Sequence, residues 1–193
     1  MSHEKLTQEF DVVIVGAGLA GLYQLLKLRQ LGLTAVIIEK ADQVGGTWHW
    51  NRYPGARCDI PSLEYSYQFD EDLQQEWNWS EKYSAQPEIL EYINHVADKY
   101  ELRDEINFEE EVTSAVFDES DSKWNINTSK GQYSSKFCIF ATGCLSVPNK
   151  PDFQGLENFE GQILQTSTWP QEEQDFSGKK VAIIGTGSSA IQS

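Results

Sequence analysis

The stretch DVVIVGAGLAGLYQLLKLRQLGLTAVIIEK, Asp11 to Lys40, decides the fold. Asp11–Val15 is a short apolar run, and Gly16, Gly18 and Gly21 follow it at the spacing G-x-G-x-x-G. Leu19, Leu22, Leu25, Leu26, Leu28 and Leu31 then supply an apolar helical face, which Gly32 closes. TAVIIEK, Thr34–Lys40, reads as a second strand. Consecutive apolar residues in so short a strand predict that both faces are covered, as in a parallel sheet. The stretch is therefore a strand–helix–strand unit with a right-handed crossover.

Each glycine of the turn has a physical task. The first permits the tight turn, the second lets backbone approach a pyrophosphate, and the third allows the helix to pack close to the strand. The phosphates then face the helix N-terminus, whose unpaired N–H groups and dipole favour anions. Glu39 ends the second strand, about twenty residues beyond the turn, where an acidic side chain can bind ribose hydroxyls. An acid there favours an adenosine without a 2′-phosphate, as in FAD or NAD. KKVAIIGTGSSAIQS, Lys179–Ser193, repeats the pattern: an apolar strand, then Gly185, Thr186, Gly187, Ser188, Ser189 and Ala190 in the arrangement G-x-G-x-x-A, then the start of a helix. Two dinucleotide fingerprints in one chain fit a resident flavin reduced by a nicotinamide.

Bulk composition excludes other classes. The chain has 193 residues and a net charge of −15, from 30 acidic and 15 basic residues. Nucleic-acid and anionic-membrane surfaces need clustered Lys and Arg, so neither partner is expected. MSHEKLTQEF at the N-terminus has no apolar core, so no signal peptide is expected. The most apolar run, Val12–Leu28, is broken by Gly16, Gly18, Gly21, Gln24 and Lys27 and falls short of a membrane span. Cys58, Cys138 and Cys144 are odd in number and contain no C-x-x-C pair. No disulfide framework, zinc site or flavin-linked redox dithiol is expected, and a reducing, cytoplasmic setting fits.

Between the fingerprints, residues 42–80 are irregular and aromatic-rich and read as loop with short helical turns. Pro87 opens a helix carrying Ile89, Leu90, Ile93, Val96, Ala97 and Tyr100 at helical spacing. EINFEEEVTSAVFDE, SKWNINTSK and GQYSSKFCIFATG predict a small antiparallel meander with turns at Ser120–Ser122 and Lys130–Gly131. Its last strand, Phe137–Phe140, is expected to be buried and to return to the parallel sheet. SVPNKP is a connector. The expected class is α/β: a Rossmann-like parallel sheet with a small antiparallel meander over residues 1–147, a linker over 148–178, and the start of a second Rossmann-like domain over 179–193. One strand and a few helical residues cannot bury a second doubly wound domain, so residues after roughly Ser177 are expected to be poorly supported.

Several blocks together carry a family resemblance: Gly16–Gly21, Glu39, GGTWHWNRYPGARCD (Gly45–Asp59), WNWSEKYSAQPEIL, ATG, LSVP and IIGTGSSAIQ. With them stands a linker pattern F-x-G-x-x-x-H-x-x-x-W-[PD], met here by Phe159, Gly161, Trp169 and Pro170. From Phe10 onward the chain resembles the N-terminal part of flavin monooxygenases of the Baeyer–Villiger type. The one departure is Gln165 at the histidine position; glutamine exchanges hydrogen bonds but does not titrate.

The resemblance implies FAD as resident cofactor, NADPH as reductant, and insertion of one oxygen atom of O₂ beside a ketone carbonyl to give an ester or lactone. It implies that Gly45, Gly46, Thr47 and Trp48 approach the FAD diphosphate and flavin. Arg57, Cys58 and Asp59 would lie where flavin, nicotinamide and substrate converge, Tyr65 at the flavin end, and Val112 at the adenine through its backbone. Asp59 would support a catalytic arginine that follows the second fingerprint. From the residues alone, Trp48, Trp50 and Tyr53 are equally readable as packing, Arg57 with Asp59 as a surface ion pair, and Cys58 as a small buried hydrophobe. Two further readings stand beside the first: an S- or N-oxygenating flavin monooxygenase, or a non-catalytic FAD-binding fragment. The chain alone is expected to hold FAD at most. Ketone identity and oligomeric state are not encoded in it.

Overall fold

The structure, a computed structural model, describes residues 7–193. The first six residues, on which the expectation of no leader partly rests, lie outside it. In chain order the elements are β1 (Thr7–Val15), α1 (Leu19–Gln30), β2 (Ala35–Ile38), α2 (Thr47–Trp50), α3 (Glu71–Glu76), α4 (Gln86–Lys99), β3 (Ile106–Asn107), β4 (Val112–Asp118), β5 (Lys123–Thr128), β6 (Gln132–Phe140) and α5 (Ser188–Gln192). They fall into two compact units: the chain up to His49 with Ile93–Cys144, and Trp50–Tyr92 with Leu145–Ser193.

The first unit is built on a six-stranded sheet ordered β3-β2-β1-β6-β5-β4. β3, β2, β1 and β6 run parallel, and β5 and β4 add an antiparallel edge. Val12, Val13 and Ile14 of β1 and all four residues of β2 are buried, as consecutive apolar residues in a two-sided sheet must be. Leu22, Leu25 and Leu26 of α1 are buried. Each such side chain taken from water contributes about 1.5–3 kcal/mol. Gly32, at φ 72, ends the helix and donates its N–H to the Arg29 carbonyl. Ile126 and Tyr133 join Val13, Val36 and Ile38 in one cluster, so meander and parallel strands share a core.

The β-strand register carries the functional consequence. Val15 pairs with both Ile38 and Phe140, so β1, β2 and β6 end level. The next residues, Gly16, Glu39 and Ala141, therefore meet at the carboxyl edge of the sheet, where open α/β sheets bind ligands.

Three expectations are corrected. Ile106–Asn107 is not part of the meander but pairs parallel with β2 as an outer strand. In β6 the strand returns to β1 as expected, yet Phe137 and Phe140, which point to opposite faces of the sheet, are 59% and 56% exposed, because neither face is fully covered at these positions. The strand expected over Lys179–Gly185 forms no ladder: no described segment pairs with it, and Val181, Ile183 and Ile184 are exposed.

In the second unit, Tyr92 is the hub of an aromatic cluster. Trp77 and Trp79 lie 5.3 and 5.1 Å from it between ring centroids and Tyr67 6.2 Å, each tilted or edge-on as ring quadrupoles prefer. The Tyr92 hydroxyl accepts from the Tyr67 N–H at 2.8 Å, and Trp79 donates to Ser66 at 2.8 Å. Burial pushes the phenols of Tyr67 and Tyr92 upward. Asp70 caps α3, accepting from the Leu73 N–H at 3.0 Å. Among the described residues no helix is long and apolar enough to cross a membrane.

Candidate functional site

At the carboxyl edge of the first unit's sheet the predicted turn is drawn tight. Gly16 has φ 105 and donates its N–H to the Ile38 carbonyl at 2.9 Å. A Cβ on it would lie 2.8 Å from the Ala141 carbonyl oxygen, and one on Gly21 only 1.9 Å from the Gly16 carbonyl oxygen. Both positions exclude any side chain. Gly18 caps α1 without a side-chain bond, and the first turn carries no acidic residue, so the positive end of a 12-residue helix is left for an anion.

The loop after β2 comes back to this turn. Gly45 donates its N–H to the Ala17 carbonyl at 3.1 Å, and a Cβ on Gly46 would stand 3.0 Å from the Gly18 Cα. Gly45 and Gly46 have φ 136 and 53, backbone that glycine tolerates. Two glycine turns thus face each other with no side chain between them. Thr47 and Trp48 open α2 directly afterwards, and Trp48 is buried.

Glu39 locks the cradle. It is 5% exposed, and its carboxylate accepts from the Ala17 N–H at 2.6 Å and the Ala41 N–H at 2.7 Å. One acid therefore joins the glycine turn to the end of β2, and each oxygen keeps a further lone pair for a ligand hydroxyl. The Glu39 carbonyl accepts from the Glu110 N–H at 2.9 Å, which places the segment leading into Val112 beside it. The sequence reading missed His49, which is 1% exposed with its Nε2 3.6 Å from Asp42.

In the second unit, residues 56–58 lie antiparallel to 84–86: Arg57 bridges Ala85, and Cys58 donates to the Ser84 carbonyl at 3.1 Å. The Arg57 guanidinium pairs with Glu81 at 3.1 Å and donates to the Tyr83 carbonyl at 3.3 Å, so its ion pair is not with Asp59. Cys58 is 2% exposed, which fits a packed thiol rather than a nucleophile. Asp59 is exposed; burial, together with the nearby Asp59 carboxylate, raises the Tyr65 phenol.

Within the same unit the second fingerprint keeps its turn: Gly185 has φ 152, and Gly187 precedes α5. Thr186 is exposed, Ser188, Ser189 and Ala190 open α5, and α5 reaches the YPGAR segment. Gln192 accepts from the Tyr53 hydroxyl at 2.7 Å and donates to the Arg57 carbonyl at 3.1 Å, while a Cβ on Gly55 would meet the Gln192 carbonyl oxygen at 2.0 Å. Gln165 donates to the Asn149 carbonyl at 2.8 Å.

A strand-ending glycine turn, a converging Gly-Gly loop and an acid joining them define a dinucleotide-binding α/β protein. The chain belongs to the pyridine nucleotide-disulphide oxidoreductase family, whose pattern matches residues 13–193. Cys58, Cys138 and Cys144 are all free.

Closer relatives are monooxygenases, Baeyer–Villiger enzymes among them, as the resemblance implied. The acetone monooxygenase (methyl acetate-forming) of Gordonia sp. (strain TY-5) is 46% identical over 187 residues, covering 96% of this chain and 35% of that protein. The phenazine N-monooxygenase of Lysobacter antibioticus is 42% identical over 185 residues, covering 95% of this chain and 34% of that protein. A solved structure of oxidised steroid monooxygenase bound to NADP superposes with a TM-score of 0.90 at 54% identity, covering 96% of this chain and 36% of that one. The chain spans about a third of the length of the curated relatives it matches.

Proposed function

We propose that this chain is the cofactor-binding portion of an FAD-dependent, NADPH-reduced monooxygenase of the Baeyer–Villiger type. The observation that carries the reading is the paired glycine cradle, Gly16–Gly18 against Gly45–Gly46, locked by Glu39 at the end of the sheet. Residues 1–147 would form the FAD domain, 148–178 a linker, and 179–193 the start of the NADP domain.

In this reading Gly16, Gly18 and Gly21 shape the diphosphate seat, and the N–H groups of the first α1 turn hold its charge. Glu39 binds the ribose diol, the Val112 backbone faces adenine, and Gly45, Gly46, Thr47 and Trp48 line the diphosphate and flavin. FAD supplies the redox and oxygen chemistry when bound. Arg57, held by Glu81, is a fixed cation for the flavin–nicotinamide end, Cys58 fills space, Tyr65 lies at the flavin end, and Asp59 orients a cationic partner. Gly185, Thr186, Gly187, Ser188, Ser189 and Ala190 would seat the NADPH diphosphate. A small ketone and O₂ are the proposed co-substrates, in the cytoplasm, given the acidic composition and free cysteines.

The similarity to a phenazine N-monooxygenase favours a second reading, oxygenation at nitrogen. Protein containing this chain, supplied with FAD, NADPH and ¹⁸O₂, is tested on small ketones and nitrogen heteroaromatics. Ester or lactone carrying one ¹⁸O supports the first reading, N-oxide alone the second, and NADPH oxidation yielding only hydrogen peroxide contradicts both.

A further inference from the structure

Glu110 sits in the run Glu109-Glu110-Glu111, which reads as a solvated acidic face, yet it is 4% exposed. No described cation contacts its carboxylate; hydroxyls hold it instead. Tyr133 shares its proton between the two carboxylate oxygens at 3.1 Å each, and Thr128 donates to one of them. The Asn107 amide donates to the Tyr133 oxygen at 2.8 Å, which turns the phenol proton toward Glu110. Thr128 in turn accepts from the Gly131 N–H at 2.8 Å.

This knot clamps the segment before Val112 on two sides. Toward the β5–β6 hairpin, the Ser129 N–H donates to the Glu111 carbonyl at 2.8 Å, and Lys130 donates to the Phe108 carbonyl at 3.0 Å. Toward β2, Glu110 donates its N–H to the Glu39 carbonyl at 2.9 Å and Glu109 donates to the Ala41 carbonyl at 2.8 Å. Glu109 is held at φ 55, a left-handed backbone that an L side chain keeps only when its surroundings impose it. A buried acid satisfied only by hydroxyls, next to a strained residue and bonded to Glu39, is an uneconomical way to close a hairpin. It is an effective way to fix the place of Glu39 and Val112.

We infer that Glu110, oriented by Tyr133 and Thr128, is a positioning residue that sets the adenosine end of the dinucleotide cradle. The inference rests on the FAD reading above. It acts through backbone placement, so it governs selectivity for a dinucleotide over a mononucleotide. FMN, which lacks the adenosine half, gains nothing from it.

The test uses this chain with FAD and with FMN, read by quenching of flavin fluorescence, in the parent, Glu110→Gln and Tyr133→Phe. The glutamine variant keeps the shape but presents a donor to hydroxyls that now donate. Loss of a charge-assisted hydrogen bond should weaken FAD about tenfold and leave FMN within about twofold, with Tyr133→Phe moving in the same direction. Equal loss for both flavins, tracking a fall in thermal stability, would mean a merely structural role and overturn the inference. So would unchanged selectivity in both variants. If the parent binds FAD no better than a protein without the fingerprint, the flavin reading itself fails and this one falls with it.

Discussion

Replacing Glu39 with glutamine should unfold part of the cradle before any ligand is added. In the native chain its carboxylate satisfies two buried N–H groups, those of Ala17 and Ala41, at 2.6 and 2.7 Å. Glutamine fills the same volume but has one acceptor oxygen, so its amide must face the second N–H donor to donor. One buried donor then loses its partner and the other bond loses its charge assistance, together about 2–4 kcal/mol. For a chain of this size that corresponds to a fall of roughly 4–16 °C in Tm. Urea unfolding of flavin-free protein, followed by circular dichroism, measures it, and Glu39→Ala should fall at least as far. Flavin-free Glu39→Gln within about 0.5 kcal/mol of the parent, with FAD affinity alone reduced, would refute the reasoning. Glu39 would then act on the ligand and not on the turn.

Other consequences are as direct. Gly21→Ala places a Cβ 1.9 Å from the Gly16 carbonyl oxygen, so α1 must move from β1. A loss of about 1–3 kcal/mol or more is expected together with loss of FAD binding, and unaltered Tm and binding would contradict it. Burial pushes the Cys138 thiol up to about 11 and Cys58 is 2% exposed, whereas Cys144 is exposed. A disulfide-exchange reagent at pH 8 should therefore titrate one thiol quickly, and two or three fast thiols would speak against this packing. The Thr34 N–H and hydroxyl hold the Asp11 carboxyl below its ordinary value. Its contribution to stability is present above that ordinary value and is lost as pH falls through the lowered one. Urea midpoints of parent and Asp11→Asn should thus converge on acidification below about pH 4, and a constant gap down to full acid unfolding would exclude the linkage.

The dinucleotide cradle was legible because its parts obey local rules. A strand, three glycines, a helix and an acid at the next strand's end are spaced by geometry that sequence preserves. The convergence of Gly45–Gly46 on Gly18 came only through resemblance, since nothing local says where a loop returns. Glu110 was hidden for another reason: an acidic triplet looks solvated until a hairpin folds over its middle member. Gln192 was equally unreadable, because its partners Tyr53 and Arg57 lie more than a hundred residues away in the chain. Phe137 and Phe140 were expected to be buried because an apolar strand was read as two-sided, yet covering a face depends on other segments. The same dependence left Lys179–Gly185 without a ladder, since strand propensity needs a neighbour to pair with.

The central claim is that two glycine turns and Glu39 form one seat for the adenosine diphosphate half of FAD. Titration of ¹⁵N-labelled chain with FAD, followed through backbone amide resonances, tests it most directly. The largest shifts should fall on Gly16–Ala20, Gly45–Trp48, Ala41 and Val112, and ADP should reproduce the changes at Gly16–Ala20 and Val112. Saturable shifts confined to other segments, or none at these amides, would contradict the account.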